Sequence, residues 1–526
     1  MKTGTRGLSR RGLSPKGTDP LPRHGGQTPS GSLPAPVPGS SQAPSPAARL
    51  RTTLETSPFP VLLVSLVGVV LLTVFGPSLV VGDTWLTLMA GREIVDHGLP
   101  HTEELTVLGQ GATWTDQQWL AQLLFYGAHE LAGLRAVVVV DILLVLLALA
   151  LAAGAARSAG ASSRSTFVVG VLAVLAGPWG WTIRAQTAAL PVFAGVLWLL
   201  VDGYRTGVRR RTLLVLPLLV VWANLHGSVI LGAGLTTLLA VVTLVRKPKV
   251  PGLGQAPSTF VPVLLLVCAP ACVLATPYGF DIVAYYDLML VDAPFAEILR
   301  EWQWSSPSGT TALFWALAAV TAGLLALRRC RSRLSLFELV VLAVTFVGAV
   351  QAVRGVIWFA LACAAILPVA LDGLLTRADP AASRVNTAIS VASLAALAVA
   401  FVVTLARPGD WFSQEWPEER VAAMREATAD PATRLFATDG TADWLLWRLP
   451  ELRGRIAYDV RFELYDEQTL DRISRYGNRE GSEWKSLADG YGVVIVDERG
   501  HLQAFRAEPG ARVAYRDDEI AILSRP

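Results

Sequence analysis

Residues 58–81, PFPVLLVSLVGVVLLTVFGPSLVV, run without a charge into Gly82-Asp83-Thr84-Trp85. An apolar stretch of this length crosses about 30 Å of hydrocarbon as a helix. It is too long for an ordinary secretory signal and lacks the small-residue cleavage site. Asp83 therefore falls where a membrane span ends and water begins.

The same pattern recurs along the chain. Further apolar runs lie at about 134–156, 165–182, 186–203, 212–225, 228–245, 259–276, 309–327, 334–350, 354–375 and 386–406, about eleven spans in all. The runs flanking Trp222–Ser228 are short, and their polar junction reads as a hairpin tip held inside the protein. Composition agrees. Only 17% of the 526 residues are charged, against about 25% in soluble domains, and the deficit is concentrated in these runs. The expectation is an α-helical polytopic membrane protein.

Basic residues set the expected orientation. Arg157 and Arg164, Arg205 to Arg211, Arg246 to Lys249, Arg328 to Arg333, and Arg377 and Arg384 occupy every second connection. The alternate connections are poor in bases. By the positive-inside rule the N-terminus is cytoplasmic and, after an odd number of spans, the C-terminus is extracytoplasmic. A multi-pass protein of the plasma membrane is expected.

Segments 1–57 and 407–526 differ in character. The first is rich in Gly, Pro and Ser with scattered Arg and Lys, and reads as a disordered cytoplasmic tail. Its Arg10-Arg11 lies too far from the apolar run to act as a twin-arginine signal. In the second, charge rises and apolar runs shorten. Arg434–Thr438, Arg455–Val460, Val493–Asp497, Arg512–Tyr515 and Ile520–Ser524 read as strands, and Asp443–Leu449 and Tyr465–Arg475 as helices. This predicts a small extracytoplasmic α/β domain. Between spans one and two, the large outer loop 82–133 carries two short amphipathic patterns, one around Trp85, Leu88 and Met89, the other around Trp119, Leu123 and Phe125.

The chain leaves a polar residue each time it reaches the outer face. Asp83 follows span one. Arg184 and Gln186 lie in the turn Trp179–Gln186. Asn224 and His226 sit between the two short spans, Tyr278 follows span seven, and Gln351 and Arg354 separate spans nine and ten. Ionisable groups at membrane depth are costly, so they serve a site or pair with one another. Asp83 has the chemistry of a general base. Arg184 and Arg354 match phosphate oxygens, and His226 can donate a hydrogen bond or relay a proton. A carboxylate beside a phosphate-binding cation pair is the minimum for glycosyl transfer from a phosphate-linked sugar. The alternatives are structural: Asp83 as a helix-end charge, the arginines as snorkelling anchors or partners of Asp83, His226 satisfying a broken helix, and the tryptophans as interface anchors.

Other chemistries find little support. Cys268 and Cys272 are spaced i,i+4 without nearby His or carboxylate, and with Cys330 and Cys363 they read as small apolar residues. His97, His101, Glu103 and Glu104 have only generic metal spacing. No phosphate-cradling glycine loop, nucleophile elbow or HExxH is present, and no feature indicates nucleic acid. No cofactor is called for, and no metal ligands are assigned.

The layout resembles the GT-C superfamily of polytopic glycosyltransferases, in particular its bacterial mannosyltransferase-like branch. The resemblance rests on Asp83 in the first outer loop within Gly-Asp-Thr-Trp-Leu-Thr-Leu-Met-Ala-Gly-Arg-Glu-Ile, Gly98, Pro100, Trp114 and Gln118-Trp119-Leu120. Arg184-Ala-Gln186, Trp222-Ala-Asn-Leu-His-Gly227, Thr276-Pro-Tyr-Gly279, Asp443-Trp444-Leu-Leu-Trp447 and Tyr458-Asp-Val-Arg461 add to it, over roughly residues 58–526. It implies a polyprenyl-phosphate sugar as donor, an envelope glycan, lipid or protein as acceptor, and Asp83 as catalytic base. Arg184, Arg354 and His226 are then expected at the donor phosphate, and Trp85, Trp114, Gln118, Gln186, Asn224 and Tyr278 along the substrates. The sequence departs from the paired acid of many members, because Thr84 follows Asp83. The competing expectation is a non-catalytic envelope scaffold holding a partner through its C-terminal domain. A transporter ranks last, since no two similar halves are visible.

Overall fold

The computed structural model describes residues 57–246, 259–291, 293–375, 384–412, 417–497 and 499–525. The tail expected at 1–57 lies outside them up to residue 56, as do Lys247, Lys249 and Arg377. The chain runs through α1 (Phe59–Val70), α2 (Gly82–His97), α3 (Trp119–Ala132), α4 (Leu134–Ser158), α5 (Ser163–Ala176), α6 (Ala185–Thr206) and α7 (Val215–Leu225). It continues through α8 (Val229–Arg246), α9 (Phe260–Cys272), α10 (Ile282–Leu290), α11 (Ala312–Ala326), α12 (Leu336–Gln351), α13 (Val356–Leu371) and α14 (Arg384–Ala406).

Every apolar run expected to span is helical. Among the described residues six helices are long and apolar enough to cross a membrane: Leu134–Ser158, Ala185–Thr206, Val229–Arg246, Gly309–Ala326, Val353–Leu371 and Arg384–Ala406. Phe59–Phe75, Ser163–Ala176, Phe260–Cys272 and Leu336–Gln351 are apolar but shorter. The α7 helix, of 11 residues, is the first arm of the expected tight hairpin with α8.

Composition sets where each helix sits. All residues of α13 from Val356 to Ala370 are buried, as suits a helix apolar on every face at the centre of a bundle. It packs on α4, α5, α6, α11 and α12. The α14 helix buries only Ser390, Ala400 and Thr404 and leaves Val391, Val399 and Val402 exposed. Exposed apolar residues on a helix of this length form a lipid-facing surface. At the end of the bundle opposite Asp83, polar clasps tie helices together. Glu338 caps α12 with Ser335 and accepts the Arg205 guanidinium at 2.8 Å. Asp372 accepts hydrogen bonds from Ser162 and Ser165 at the start of α5.

The two amphipathic patterns of the first loop are α2 and α3. Gly91 lets them approach closely, because a Cβ there would stand 2.5 Å from the Gln122 carbonyl oxygen. Gly98, at φ +89°, ends α2 in a conformation that L side chains avoid.

The C-terminal segment adds α15 (Glu418–Ala427), β1 (Leu435–Phe436), α16 (Asp439–Arg448), α17 (Glu467–Asn478), β2 (Val493–Val496), α18 (Arg499–Arg506), β3 (Arg512–Arg516) and β4 (Ala521–Ser524). The sheet order is β1-β2-β4-β3, with β1 parallel to β2 and the other pairs antiparallel. Four of the five expected strands form. The fifth, Arg455–Val460, is not a strand: Ile456 makes only isolated bridges, to Leu435 and to Thr106. Its backbone is shared with the first loop, since Val107 N–H donates to the Ile456 carbonyl (2.8 Å), Leu108 N–H to Ala457 (3.0 Å) and Gly454 N–H to Leu105 (2.9 Å). Both expected helices form, with shifted starts. Asp466 caps α17 through the Thr469 N–H.

A buried charge cluster completes this junction. Arg461 pairs with Glu103 of the first loop at 2.6 Å and with Asp459 at 2.5 Å, and stacks over Trp114 at 4.2 Å. Glu103 also accepts the Leu105 and Thr106 N–H groups. Arg92 of α2 donates to the Leu446 and Trp447 carbonyls of α16. Because Arg461, Glu103 and Asp459 are all buried, removing the cation leaves two carboxylates uncompensated. Arg461→Ala is expected to cost about 3–5 kcal/mol. Thermal unfolding should show a lowered midpoint, and limited proteolysis should open the 454–465 segment first.

Candidate functional site

Local structure at the Asp83 end of the bundle brings distant charges together. The Thr84 hydroxyl donates to the Ile183 carbonyl (3.0 Å) and accepts the Val81 N–H (3.0 Å), while Ile183 N–H donates to Leu79 (2.9 Å). This clamps the first turn of α2 to the turn preceding α6. Asp83 and Arg184 are thereby neighbours, with Arg184 Nε 3.0 Å from Asp83 Oδ2. The residue in the place of a second acid is thus a structural anchor.

A second clamp supplies the other arginine. Val353 N–H donates to the Gln303 carbonyl (3.2 Å), Ser305 N–H to Val350 (3.0 Å) and Ser305 Oγ to Ala349 (2.6 Å). These bonds hold the Arg300–Trp302 turn against the Val353–Gly355 turn that starts α13. Arg354 stacks over Trp302 at 4.4 Å and lies 3.8 Å from Glu301, whose other oxygen is 2.5 Å from Arg184 Nη1. The result is an alternating line, Asp83–Arg184–Glu301–Arg354.

Asp83, Gln117, Gln118, Arg184, Gln186, His226, Tyr285, Arg300, Glu301, Trp302, Arg354, Arg461 and Glu463 line one cavity of about 350 Å³. A neighbouring cavity of about 440 Å³ shares Arg184, Gln186, Arg300, Glu301 and Arg354, and continues past Trp304, Ser306 and Thr311 toward α13. Six of the ten expected site residues, Asp83, Arg184, Arg354, His226, Gln118 and Gln186, therefore meet at one place.

The other four line neither cavity and serve the framework. Trp85 is buried in the helical core. Trp114 lies under Arg461. Asn224 accepts the Trp119 indole N–H (2.9 Å) and donates to Val220 and Ala275 carbonyls. Tyr278 donates to the Pro100 carbonyl (2.9 Å). These positions carry the right residue types at the right depth, but Asn224 and Tyr278 already use their polar atoms in the framework, and Trp85 and Trp114 are buried. Among the residues that sequence reading passed over, Glu301, Trp302, Tyr285, Arg461 and Glu463 line the cavity. Charge accounting was the available signal for Glu301, since two outer-face arginines at membrane depth call for more than the single carboxylate of Asp83.

The electrostatics follow from the pairing. Burial raises the Asp83 carboxyl, and the Arg184 guanidinium pulls it partly back; the net direction is up. At Glu301 burial also pushes upward, but Arg354 and Arg184 together more than offset it and hold the carboxyl below its usual range. Arg184 is correspondingly fixed as a cation by Asp83 and Glu301 despite its burial. His226 is lowered to about 3 by burial and by Arg354, so it is neutral near pH 7. Its Nδ1 accepts the Ser228 N–H (3.1 Å) and faces Ser228 Oγ (2.8 Å), which accepts the Trp222 indole N–H. That arrangement assigns the ring proton to Nε2, leaving a hydrogen-bond donor rather than a proton relay.

Among the described residues, no three His, Cys, Asp or Glu side chains gather as a metal-ligand set. His97 pairs with Glu93, His101 packs on Tyr278, and Glu103 is held by Arg461.

No family model and no curated protein matches the sequence. Solved structures do. The archaeal oligosaccharyltransferase AglB from Archaeoglobus fulgidus, in complex with an inhibitory peptide and a dolichol-phosphate, superposes with a TM-score of 0.51 at 14% identity, over 83% of this chain and 69% of that one. The apo form of the A. fulgidus oligosaccharyltransferase gives 0.50 at 14% identity over the same shares. The chain therefore shares the fold of this oligosaccharyltransferase. ArnT from Cupriavidus metallidurans in the apo state is also similar, with a TM-score of 0.48 at 15% identity over 87% of this chain and 97% of that one. At these identities the likeness is one of fold, and chemistry rests on the residues described above.

Beside the cavity, Asp116 accepts the Gln122 amide (2.9 Å) and leaves its second oxygen buried without a partner. Burial, partly countered by the Gln118 and Gln122 donors, pushes its carboxyl up to about 7. Glu463 is also raised to about 7, by burial above all. Between about pH 4 and pH 7 the unfolded chain has lost these protons while the folded chain keeps them, so stability falls as pH rises through that window. Asp116→Asn is expected to flatten the fall, by on the order of 4 kcal/mol at its upper end. Thermal unfolding between pH 4.5 and 8 reads this directly, and an unchanged slope would place the ionisation elsewhere.

Proposed function

We propose that this chain is an integral-membrane glycosyltransferase that moves a sugar from a polyprenyl-phosphate donor to an extracytoplasmic acceptor. The observation that carries the reading is the alternating line Asp83–Arg184–Glu301–Arg354 in the wall of one outer cavity. Two guanidiniums supply charge for a phosphate leaving group, and a carboxylate stands 3.0 Å from one of them. AglB has been captured with a dolichol-phosphate, which accords with a polyprenyl-phosphate donor here.

The chemistry needs little more. The acceptor hydroxyl loses its proton to Asp83 as its oxygen bonds to the anomeric carbon. The bond from that carbon to the phosphate oxygen breaks, and the phosphate leaves with the electron pair toward Arg184 and Arg354. His226 donates through Nε2 to the phosphate or the sugar. Attack opposite the leaving group inverts the anomeric configuration. A carboxylate that burial has made more basic is better suited to the proton transfer. Gln118, Gln186 and Trp302 border the space for the sugar and acceptor. The mechanism runs on guanidinium charge, since Asp83 and Glu301 are both engaged by Arg184.

A non-catalytic scaffold is the second reading, and one observation favours it: the two carboxylates and two guanidiniums neutralise each other, as a purely structural set would. Isosteric Asp83→Asn separates the two. Glycosyl transfer from a polyprenyl-phosphate sugar is expected to fall by about 10²–10⁴-fold, with membrane expression and monodispersity retained. Transfer at the wild-type rate would refute Asp83 as base. Arg354→Ala is expected to raise the donor KM more than tenfold, consistent with loss of a charged contact of about 1.5–3 kcal/mol.

The cavity is assigned to the extracytoplasmic face because the arginine-rich connections lie at the opposite end of the spans. In a cysteine-free background, Gln110→Cys is expected to react with a membrane-impermeant thiol reagent in intact cells, and Arg210→Cys only after permeabilisation. The reverse pattern would invert the topology.

A further inference from the structure

The reaction leaves Glu301 without a role, although it pairs with both Arg184 and Arg354. Its two oxygens face different guanidiniums, Oε2 at 2.5 Å from Arg184 and Oε1 at 3.8 Å from Arg354. A bridging carboxylate between two arginines presents what the non-bridging oxygens of a phosphate would present to the same pair. Glu301 sits on a single short turn, Arg300–Trp302, in the connection between α10 and α11. It can leave its place without unwinding a long helix. It also lines both cavities and stands at their boundary.

Charge balance makes this position consequential. Asp83 and Glu301 offset Arg184 and Arg354. Within this set of four, an added phosphate leaves excess negative charge, whereas a phosphate that takes the place of Glu301 keeps the balance. We propose that Glu301 is a built-in counter-anion, which holds the arginine pair in the empty site and competes with the phosphate for it.

The competition lowers the affinity for donor and product alike, and it matters most for the product. The donor is a phosphodiester with one negative charge. The released polyprenyl phosphate is a monoester carrying about −1.5 to −2 near pH 7. Two guanidiniums alone would hold the product more tightly than the donor. A carboxylate returning to the same pair shifts the balance toward release. The inference rests on the proposed function, because it takes the arginine pair as the phosphate site.

The opposing account is that Glu301 only orients Arg184 and Arg354, and the two accounts predict opposite signs. Removing a competitor tightens phosphate binding. Removing a support loosens it. The measurement is undecaprenyl phosphate binding to the purified full-length protein in detergent, followed by native mass spectrometry, with undecaprenol as the control without phosphate. Glu301→Gln keeps shape and hydrogen-bonding atoms but drops the charge, and is expected to bind about tenfold more tightly than wild type. Glu301→Asp keeps the charge but shortens the reach to Arg354, and is expected to fall between them, which preserves a reading should the glutamine variant fail to fold. Wild-type binding with equal or weaker binding by both variants overturns the counter-anion and leaves the transferase reading standing. Absence of undecaprenyl phosphate binding by wild type and variants alike overturns both.

Discussion

Four charges at one end of an apolar bundle organise this protein. Asp83, Arg184, Glu301 and Arg354 belong to the starts of α2 and α6, to the turn after α10, and to the turn before α13. None of them has a good alternative at membrane depth, because an unpaired charge beside hydrocarbon is costly. Each pairing therefore constrains where a different part of the chain can sit. The anchoring bonds are backbone-directed: Thr84 on the Ile183 carbonyl, and Ser305 on the Val350 and Ala349 turn. A cavity of defined shape follows from these clamps, and its chemistry follows from the guanidiniums and carboxylates they align.

The C-terminal segment closes that cavity from above. Its attachment is not a hydrophobic patch alone. Residues 105–108 of the first loop and 454–457 share backbone hydrogen bonds, and Arg461 neutralises Glu103 from one side of the junction and Asp459 from the other. Aromatic packing continues the contact, since Met289 and Phe295 join Phe436, Tyr458 and Phe462 in one core. The residues that line the cavity from this side, Val460, Arg461 and Glu463, directly follow the shared segment. Whatever enters the cavity meets the bundle and the α/β segment together.

Sequence reading reached far because lipid simplifies the problem. Apolar runs must be helical where no water can satisfy backbone groups, so the expected apolar runs are helical, six of them among the described residues long enough to span, and period-two patterns located four of five strands. It failed where backbone partners come from elsewhere. Arg455–Val460 carries a strand-like pattern, yet its neighbour is a loop more than three hundred residues away in sequence. Site prediction failed in the same way. Trp85, Trp114, Asn224 and Tyr278 have the polarity and depth of site residues, but tertiary contacts occupy them. Glu301 stood in a connection with no pattern to mark it.

The sequence by itself determined the helical membrane architecture, the α/β character of the C-terminal segment, and the set of ionisable groups stranded near the ends of the apolar runs. Those depend on hydrophobic length, periodicity and local charge, which are properties of neighbouring residues. Only the tertiary structure decided which of those groups meet, that Thr84 is an anchor rather than part of an acid pair, and that the two arginines share a second carboxylate. Such choices are made by hydrogen bonds and charge pairing between segments far apart in the chain, and no local pattern encodes them.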